Sequence, residues 1–162
     1  MCFILLRKEQ PLLTIYDIKD CVPVGWYKAF GKILERELRE ATANDPEFAI
    51  YDIKEKFGEL RIYHNGDKKV DEIVDAFAVI SRYTCVDCGK LGVGSTKRGW
   101  ILPYCRECYK GDYDKGCTPY EPIPKMRKVS CFSKEGLKTV EYDISKYVDE
   151  VYANEKSLIG EA

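Results

Sequence analysis

The sequence predicts an α+β protein: a small core of helices and a β-hairpin, a four-cysteine finger, and a C-terminal hairpin-helix extension. Three observations carry that expectation. Apolar residues recur first at helical spacing, then in alternation, then at helical spacing again before position 82. Four cysteines stand in two tight pairs, Cys85 and Cys88 then Cys105 and Cys108. Beyond a stretch holding Gly111, Gly116, Pro119, Pro122 and Pro124, alternation returns and gives way to a last helical run. The expected division is a core over 1–82, a finger over 83–110, and a linker with the extension over 111–162.

In chain order, Leu12 to Lys19 reads as a strand broken by Cys21-Val22-Pro23. From Val24, the apolar positions Tyr27, Phe30, Ile33, Leu34, Leu38 and Ala41 alternate with charge at the period of an amphipathic helix. It ends near Asn44-Asp45-Pro46, where proline cannot continue it. Tyr51, Ile53 and Phe57, then Leu60 and Ile62, change to period two and predict two strands around Gly58. Asp67 offers an N-cap to a second helix marked by Val70, Ile73, Val74, Phe77 and Ile80, which runs directly into Tyr83-Thr84-Cys85. Trp100-Ile101-Leu102 predicts a strand leading to Cys105. Lys128 to Phe132 and Leu137 to Tyr142 predict a hairpin, and Tyr147, Val148, Val151 and Tyr152 share a helix face from about Lys146. The pentapeptide Ile15-Tyr16-Asp17-Ile18-Lys19 recurs as Ile50-Tyr51-Asp52-Ile53-Lys54; both copies read as strand pieces, without a repeat architecture.

The cysteine pattern is C-x2-C-x16-C-x2-C, inside the spacing window of zinc sites. A C-x2-C bend lets two thiolates reach one ion, and an intervening hairpin brings the second pair around to complete a tetrahedron. The competing reading of eight cysteines is a disulfide-stapled secreted domain. Against it, Met1 to Leu6 is too short an apolar stretch for a signal sequence and lacks the basic residues that precede one. A reducing cytoplasm then favours metal, and Cys2, Cys21, Cys117 and Cys131 read as buried free thiols outside the ligand set. Gly89 after the first pair suits a knuckle in which backbone amides point at sulfur. Cys105-Arg106-Glu107-Cys108 lacks such a glycine. On the first turn of a short helix it makes a treble clef, the preferred form; as a second knuckle it makes a zinc ribbon.

Four thiolates close the coordination sphere, which leaves no open position for catalytic water and points to structural Zn2+. His64 is the chain's only histidine, so two-histidine zinc enzymes are excluded by counting, and at a strand end it reads as a solvated turn residue. Asp71, Glu72 and Asp75 suit a favourable interaction with a helix N-terminus. No glycine-rich phosphate loop is present. With 26 basic and 27 acidic residues, the chain has no bulk basicity to announce a nucleic-acid partner. No apolar run approaches the ~20 residues that cross a bilayer, so no membrane partner is expected.

Recognition residues remain. Lys90, Lys97, Arg98, Arg106 and Lys110 surround Trp100, Tyr104, Tyr109 and Tyr113, a mixture able to hold phosphates while bases stack on rings. Asp87, Glu107, Asp112 and Asp114 dilute that charge, and Trp100 and Tyr104 have an alternative role in packing the finger's own small core. Lys54, Lys56 and Arg61 fall on one side of the predicted hairpin, as a basic strip or simply a solvated face.

Gly25-Trp26 opening a helix, the string Ile53-Lys54-Glu55-Lys56-Phe57-Gly58-Glu59-Leu60-Arg61-Ile62-Tyr63, and Gly99-Trp100 before the second cysteine pair resemble an uncharacterised family of small proteins common in phage and prophage genomes. The resemblance covers about residues 23–110. It implies an intracellular, phage-associated accessory protein acting on a host protein or nucleoprotein, for example by inhibiting a defence nuclease such as a CRISPR effector. The sequence therefore predicts a non-enzymatic, zinc-stabilised, cytoplasmic binding protein. The alternatives are a nucleic-acid-binding zinc finger and a small metal-dependent nuclease.

Overall fold

A computed structural model of the chain describes residues 12–96 and 100–153, with backbone alone at 131–133. It is an α+β structure of three antiparallel two-stranded sheets and several helices. A 3-10 turn (Ile15–Asp17) leads into α1 (Ile18–Cys21). The segments α2 (Val24–Trp26), a π-type turn (Tyr27–Gly31) and α3 (Lys32–Ala41) follow without a break and act as one long helix. Its buried face carries Trp26, Phe30, Leu34 and Leu38, the spacing that the apolar period predicts.

The expected strand at Leu12–Lys19 is corrected: only Leu13 pairs, in a single bridge to Ile50, and the chain then turns helical. The cause is local. Thr14 heads a capping box in which its backbone N–H and its Oγ1 both donate to Asp17 Oδ2, at 2.6 and 3.0 Å. The second copy of the pentapeptide does form a strand. Here β1 (Ile50–Lys56) pairs with β2 (Glu59–His64), Lys54 facing Arg61 and Lys56 facing Glu59 across a two-residue loop. Both loop residues lie at positive φ, Phe57 at 54° and Gly58 at 76°, as a type I′ turn requires. Glycine adopts that conformation freely; a bulky phenylalanine there is an outlier.

Helix α4 (Lys68–Ser81) starts at Asp67, whose side chain accepts from the Lys69 and Val70 amides at 3.0 and 3.1 Å. A short hairpin of β3 (Val93–Ser95) and β4 (Leu102–Tyr104) sits between the cysteine pairs, so the strand expected from Trp100 begins two residues later. The stretch read as linker is also ordered into structure: α5 (Tyr113–Gly116) is followed by a bridge between Cys117 and Ser95, which ties it to β3. Finally β5 (Met126–Ser133) and β6 (Gly136–Asp143) form the predicted hairpin, and α6 (Ser145–Val151) the predicted helix.

One buried cluster crosses the expected boundaries. It joins Trp26, Phe30, Leu34 and Leu38 to Ile53, Leu60, Phe77 and Ile80, and takes in Val86 from the finger and Ile123, Ile144, Tyr147, Val148 and Tyr152 from the C-terminal segment. Phe77 stands between Phe30 and Tyr147, with ring centroids at 5.6 and 5.3 Å. The extension is clamped at its base by Asp75 on α4, which accepts from Arg127 Nε and Nη2 at 2.9 and 3.1 Å and from the Tyr142 hydroxyl. Asp75 is thus a cross-element anchor and not a helix-dipole residue. No helix among the described residues is long and apolar enough to cross a membrane.

Candidate metal centre

The first cysteine pair lies in a turn closed by a bridge between Thr84 and Leu91, by Cys85 N–H donating to Lys90 O at 2.8 Å, and by Gly89 N–H donating to Cys85 O at 3.0 Å. Gly89 is required twice over. Its φ is +82°, and a Cβ there would stand 2.6 Å from Gly25 O. The second pair follows β4 and also lies in a turn, closed by Tyr109 N–H donating to Cys105 O at 3.1 Å. No helix starts at Cys105, and α5 begins only at Tyr113. The preferred treble clef is therefore corrected to two knuckles flanking a hairpin, a ribbon-like arrangement. The reason is that a second turn closes without a glycine, because Tyr109 needs no positive φ.

Val86 N–H donates to Pro103 O at 3.0 Å, which sets the first turn beside the end of β4. All four Sγ atoms of Cys85, Cys88, Cys105 and Cys108 then lie within 4.8 Å of one another, with Cys88 and Cys105 at 3.6 Å. Tetrahedral thiolate coordination at about 2.3 Å per bond separates sulfurs by about 3.8 Å, so the set fits one ion. It does not fit a disulfide, whose sulfurs are about 2.05 Å apart; the described cysteines are all free thiols. Cys85 and Cys105 are buried while Cys88 and Cys108 are half-buried, so the centre sits just under the surface.

The thiols differ electrostatically. Burial opposes ionisation of Cys85, but the backbone amides of Cys105, Cys88 and Asp87 aimed at its sulfur outweigh it and hold its pKa below the ordinary value. Cys108 is pushed far up by hydrogen bonding to the Cys105 and Cys88 sulfurs, and Cys88 is raised chiefly by burial. Four sulfurs this close share protons unless a cation supplies the missing positive charge. These four residues could hold such an ion. Cys117 stays outside the set, bridged to β3; Cys21 is half-buried and free. Cys2 and the Cys131 side chain lie outside the described residues.

The centre is joined directly to the core. Gly25 N–H donates to Val86 O at 2.8 Å, and Trp26 Nε1 donates to Thr84 O at 2.9 Å. A Cβ on Gly25 would stand 2.2 Å from Cys85 O and 2.6 Å from the Val86 carbonyl carbon. From below, Thr84 Oγ1 meets Ile80 O at 2.9 Å and the Tyr152 hydroxyl at 2.6 Å. The π-type turn lies at this junction, with Ala29 against Gly89. Gly25 and Trp26 were legible as a motif but not as the dock of the metal site, because their partners are more than fifty residues away in sequence.

The candidate binding residues are mostly engaged. Lys54 pairs with Asp52 and lies 5.0 Å over the Tyr63 ring; Arg61 pairs with Glu59 at 3.2 Å. Lys90 reaches across the two knuckles to Glu107 at 3.0 Å, and Arg106 holds Asp114 at 2.9 Å while lying 4.5 Å over Tyr113. Lys110 shares a depression of about 460 Å³ with Trp100, Tyr104, Tyr109 and Asp87. Lys97 and Arg98 lie outside the described residues. Trp100 does not pack the finger's core: it is 70 % exposed, and Lys56 and Trp100 meet in a second depression of about 300 Å³ with Phe57 and Ile101. His64 is not a solvated turn residue. Its side chain is 8 % exposed, Nδ1 accepts from Gly66 N–H at 3.0 Å, and Nε2 lies 3.4 Å from Asp71. Burial holds its pKa down, with Asp71 opposing.

Compared with known proteins, the chain matches no family model, no curated protein and no solved structure.

Proposed function

We propose that this chain is a non-enzymatic binding protein whose four-cysteine centre holds a structural Zn2+. The observation that carries the reading is the closure of four sulfurs on one position, supported by a lone histidine whose ring is committed to the Gly66 amide. A tetrahedral all-sulfur set suits zinc, and a closed set serves folding instead of catalysis. A protein or nucleoprotein partner is favoured over bare nucleic acid because Lys54, Arg61, Lys90 and Arg106 already neutralise carboxylates of the same chain. The resemblance to phage and prophage proteins supports a cytoplasmic accessory role against a host factor, for which inhibition of a defence nuclease such as a CRISPR effector is the concrete example.

The test is co-purification of the tagged, zinc-loaded protein from a bacterial host, with and without nuclease digestion, alongside metal analysis. One zinc per chain and a protein partner that survives both digestion and moderate salt are expected. A partner lost on digestion, with affinity collapsing steeply between low and moderate salt, would replace this reading with nucleic-acid binding. Cleavage of labelled DNA or RNA in magnesium or manganese, abolished by carboxylate substitutions, would replace it with a nuclease.

A further inference from the structure

We propose that Phe57, Trp100 and Ile101 form the docking patch of this protein, and that its occupant is a protein segment presenting an apolar side chain beside a carboxylate; the inference rests on the protein-binding reading above and assigns it a surface. The three residues come from two hairpins distant in sequence. At the tip of the β1–β2 hairpin, Phe57 is 67 % exposed; just ahead of β4, Trp100 is 70 % and Ile101 43 % exposed. The β1–β2 turn touches Ile101, since a Cβ on Gly58 would stand 3.1 Å from Ile101 O and 3.4 Å from Ile101 Cγ2. Large apolar side chains gathered on a surface mark interaction sites, and tryptophan and other aromatics dominate their energetics.

Phe57 adds a second, independent observation. It occupies a left-handed turn position, φ 54°, that favours asparagine, aspartate or glycine. The backbone conformation is not favoured by a phenylalanine there, and apart from the Lys56 ammonium over its face the ring is mostly in solvent. Backbone strain retained by an exposed ring points to a use for the ring outside the fold.

Charge decides the occupant. Around the patch, Lys54 pairs with Asp52, and Arg61 and Arg82 both pair with Glu59. The Glu55 carboxylate accepts from Gly58 N–H at 2.7 Å and is thereby held at the base of the turn. Lys56 faces Glu59 in the strand register, yet its ammonium lies 5.6 Å over the Phe57 ring and makes no ion pair among the described residues. Among the described residues, Lys56 is thus an unmatched positive charge beside the apolar patch, and it complements one carboxylate beside an apolar anchor. A nucleic-acid strand would need several free cations and would meet Asp52, Glu55 and Glu59.

The test pans a random peptide library, displayed on yeast, against the zinc-loaded full chain. Enriched peptides are expected to carry a leucine or aromatic anchor within a few residues of Asp or Glu. Phe57→Asn and Trp100→Ser should each weaken them by about tenfold or more. Both variants should keep their zinc, and Phe57→Asn should melt at or above the parent temperature. Lys56→Glu should shift the selected flanks from acidic to basic. No enrichment, enrichment without carboxylates, or peptides that bind the two variants as well as the parent would overturn the patch. A lower melting temperature for Phe57→Asn would make the ring a structural residue and also overturn it. Binding of a single-stranded oligonucleotide that is lost in the variants, or a dimer lost in them by sedimentation, would replace the proposed occupant. A partner that co-purifies equally with parent and variants defeats only the patch; absence of any protein partner defeats the binding reading itself.

Discussion

The core and the cysteine module hold themselves together by different means. Every one of the largest fully buried side chains, from Trp26, Phe30 and Phe77 to Ile144 and Tyr152, lies outside residues 83–110. Among the module's described residues, the buried apolar side chains are Val86, Val93, Pro103 and two of the four clustered cysteines, Cys85 and Cys105. Burying a valine contributes about 1.5–3 kcal/mol, whereas ordering each residue's backbone costs about 1–2 kcal/mol. So few buried side chains, with Tyr83, Leu91, Leu102 and Tyr104 only half-buried, cannot offset that cost over the length of the module. Structural zinc supplies a far larger contribution from one group: in finger peptides it is worth roughly 10–16 kcal/mol, as much as the ~5–15 kcal/mol net stability of a whole domain. The contrast is the reason to expect that the module folds around an ion, and the Gly25-Trp26 dock is the route by which the core would come to depend on it.

Cys85→Ser or Cys108→Ser attacks the module at its single strong point. Either variant should lose bound metal and broaden or abolish the cooperative thermal transition, read by metal analysis and circular dichroism. A melting temperature and metal content equal to the parent's would leave the module supported by something other than the ion.

Gly25→Ala attacks the junction while leaving all four ligands in place. The added methyl meets the Cys85 carbonyl, a backbone atom that cannot move without moving the site. Overpacking of this kind costs about 3 kcal/mol, or a fall in melting temperature of roughly 6–12 °C at this chain length. It should also weaken zinc affinity in a competition titration. A destabilised protein with unchanged affinity would show that dock and site are independent.

Thr84→Val sharpens the same comparison from below. It removes the hydroxyl shared between Ile80 O and the Tyr152 hydroxyl, at a cost of about 1–3 kcal/mol in chemical denaturation. Because it sits one residue before Cys85, part of the loss should vanish when the metal is already absent.

The smallest effect belongs to His64, which lies wholly on the core side. Its folded pKa is depressed below the ordinary 6.5, so the unfolded chain takes up the proton first as pH falls. Stability is therefore full above about 6.5 and drains away below it until the folded residue also protonates. His64→Gln should flatten that part of the melting profile and leave zinc content unchanged.

The four-cysteine cluster was legible because a C-x2-C turn is a local device: two spacings on the page fix both half-sites. Helix α4, the β1–β2 hairpin and α6 were legible for the same reason, their apolar period being local. The repeated pentapeptide was not. Its first copy is helical and its second a strand, and the deciding signal, Thr14 three residues ahead of Asp17, stands outside the repeat. What the sequence could not display was pairing at a distance. The neutralisation of Arg106 by Asp114, the engagement of Asp75 by Arg127 and the meeting of Trp100 with Phe57 all depend on how hairpins and helices come to rest. A cationic residue reads as available until its carboxylate is found.

The central claim is that metal binding and core folding form one transition, joined at Gly25 and Trp26. The direct measurement is a thermal melt of the full chain in which metal release, followed by a colorimetric chelator, and loss of core structure, followed by near-ultraviolet circular dichroism, are recorded together. Coincident midpoints that fall together as chelator is raised are predicted. Complete metal release well below an unchanged core transition would contradict the account.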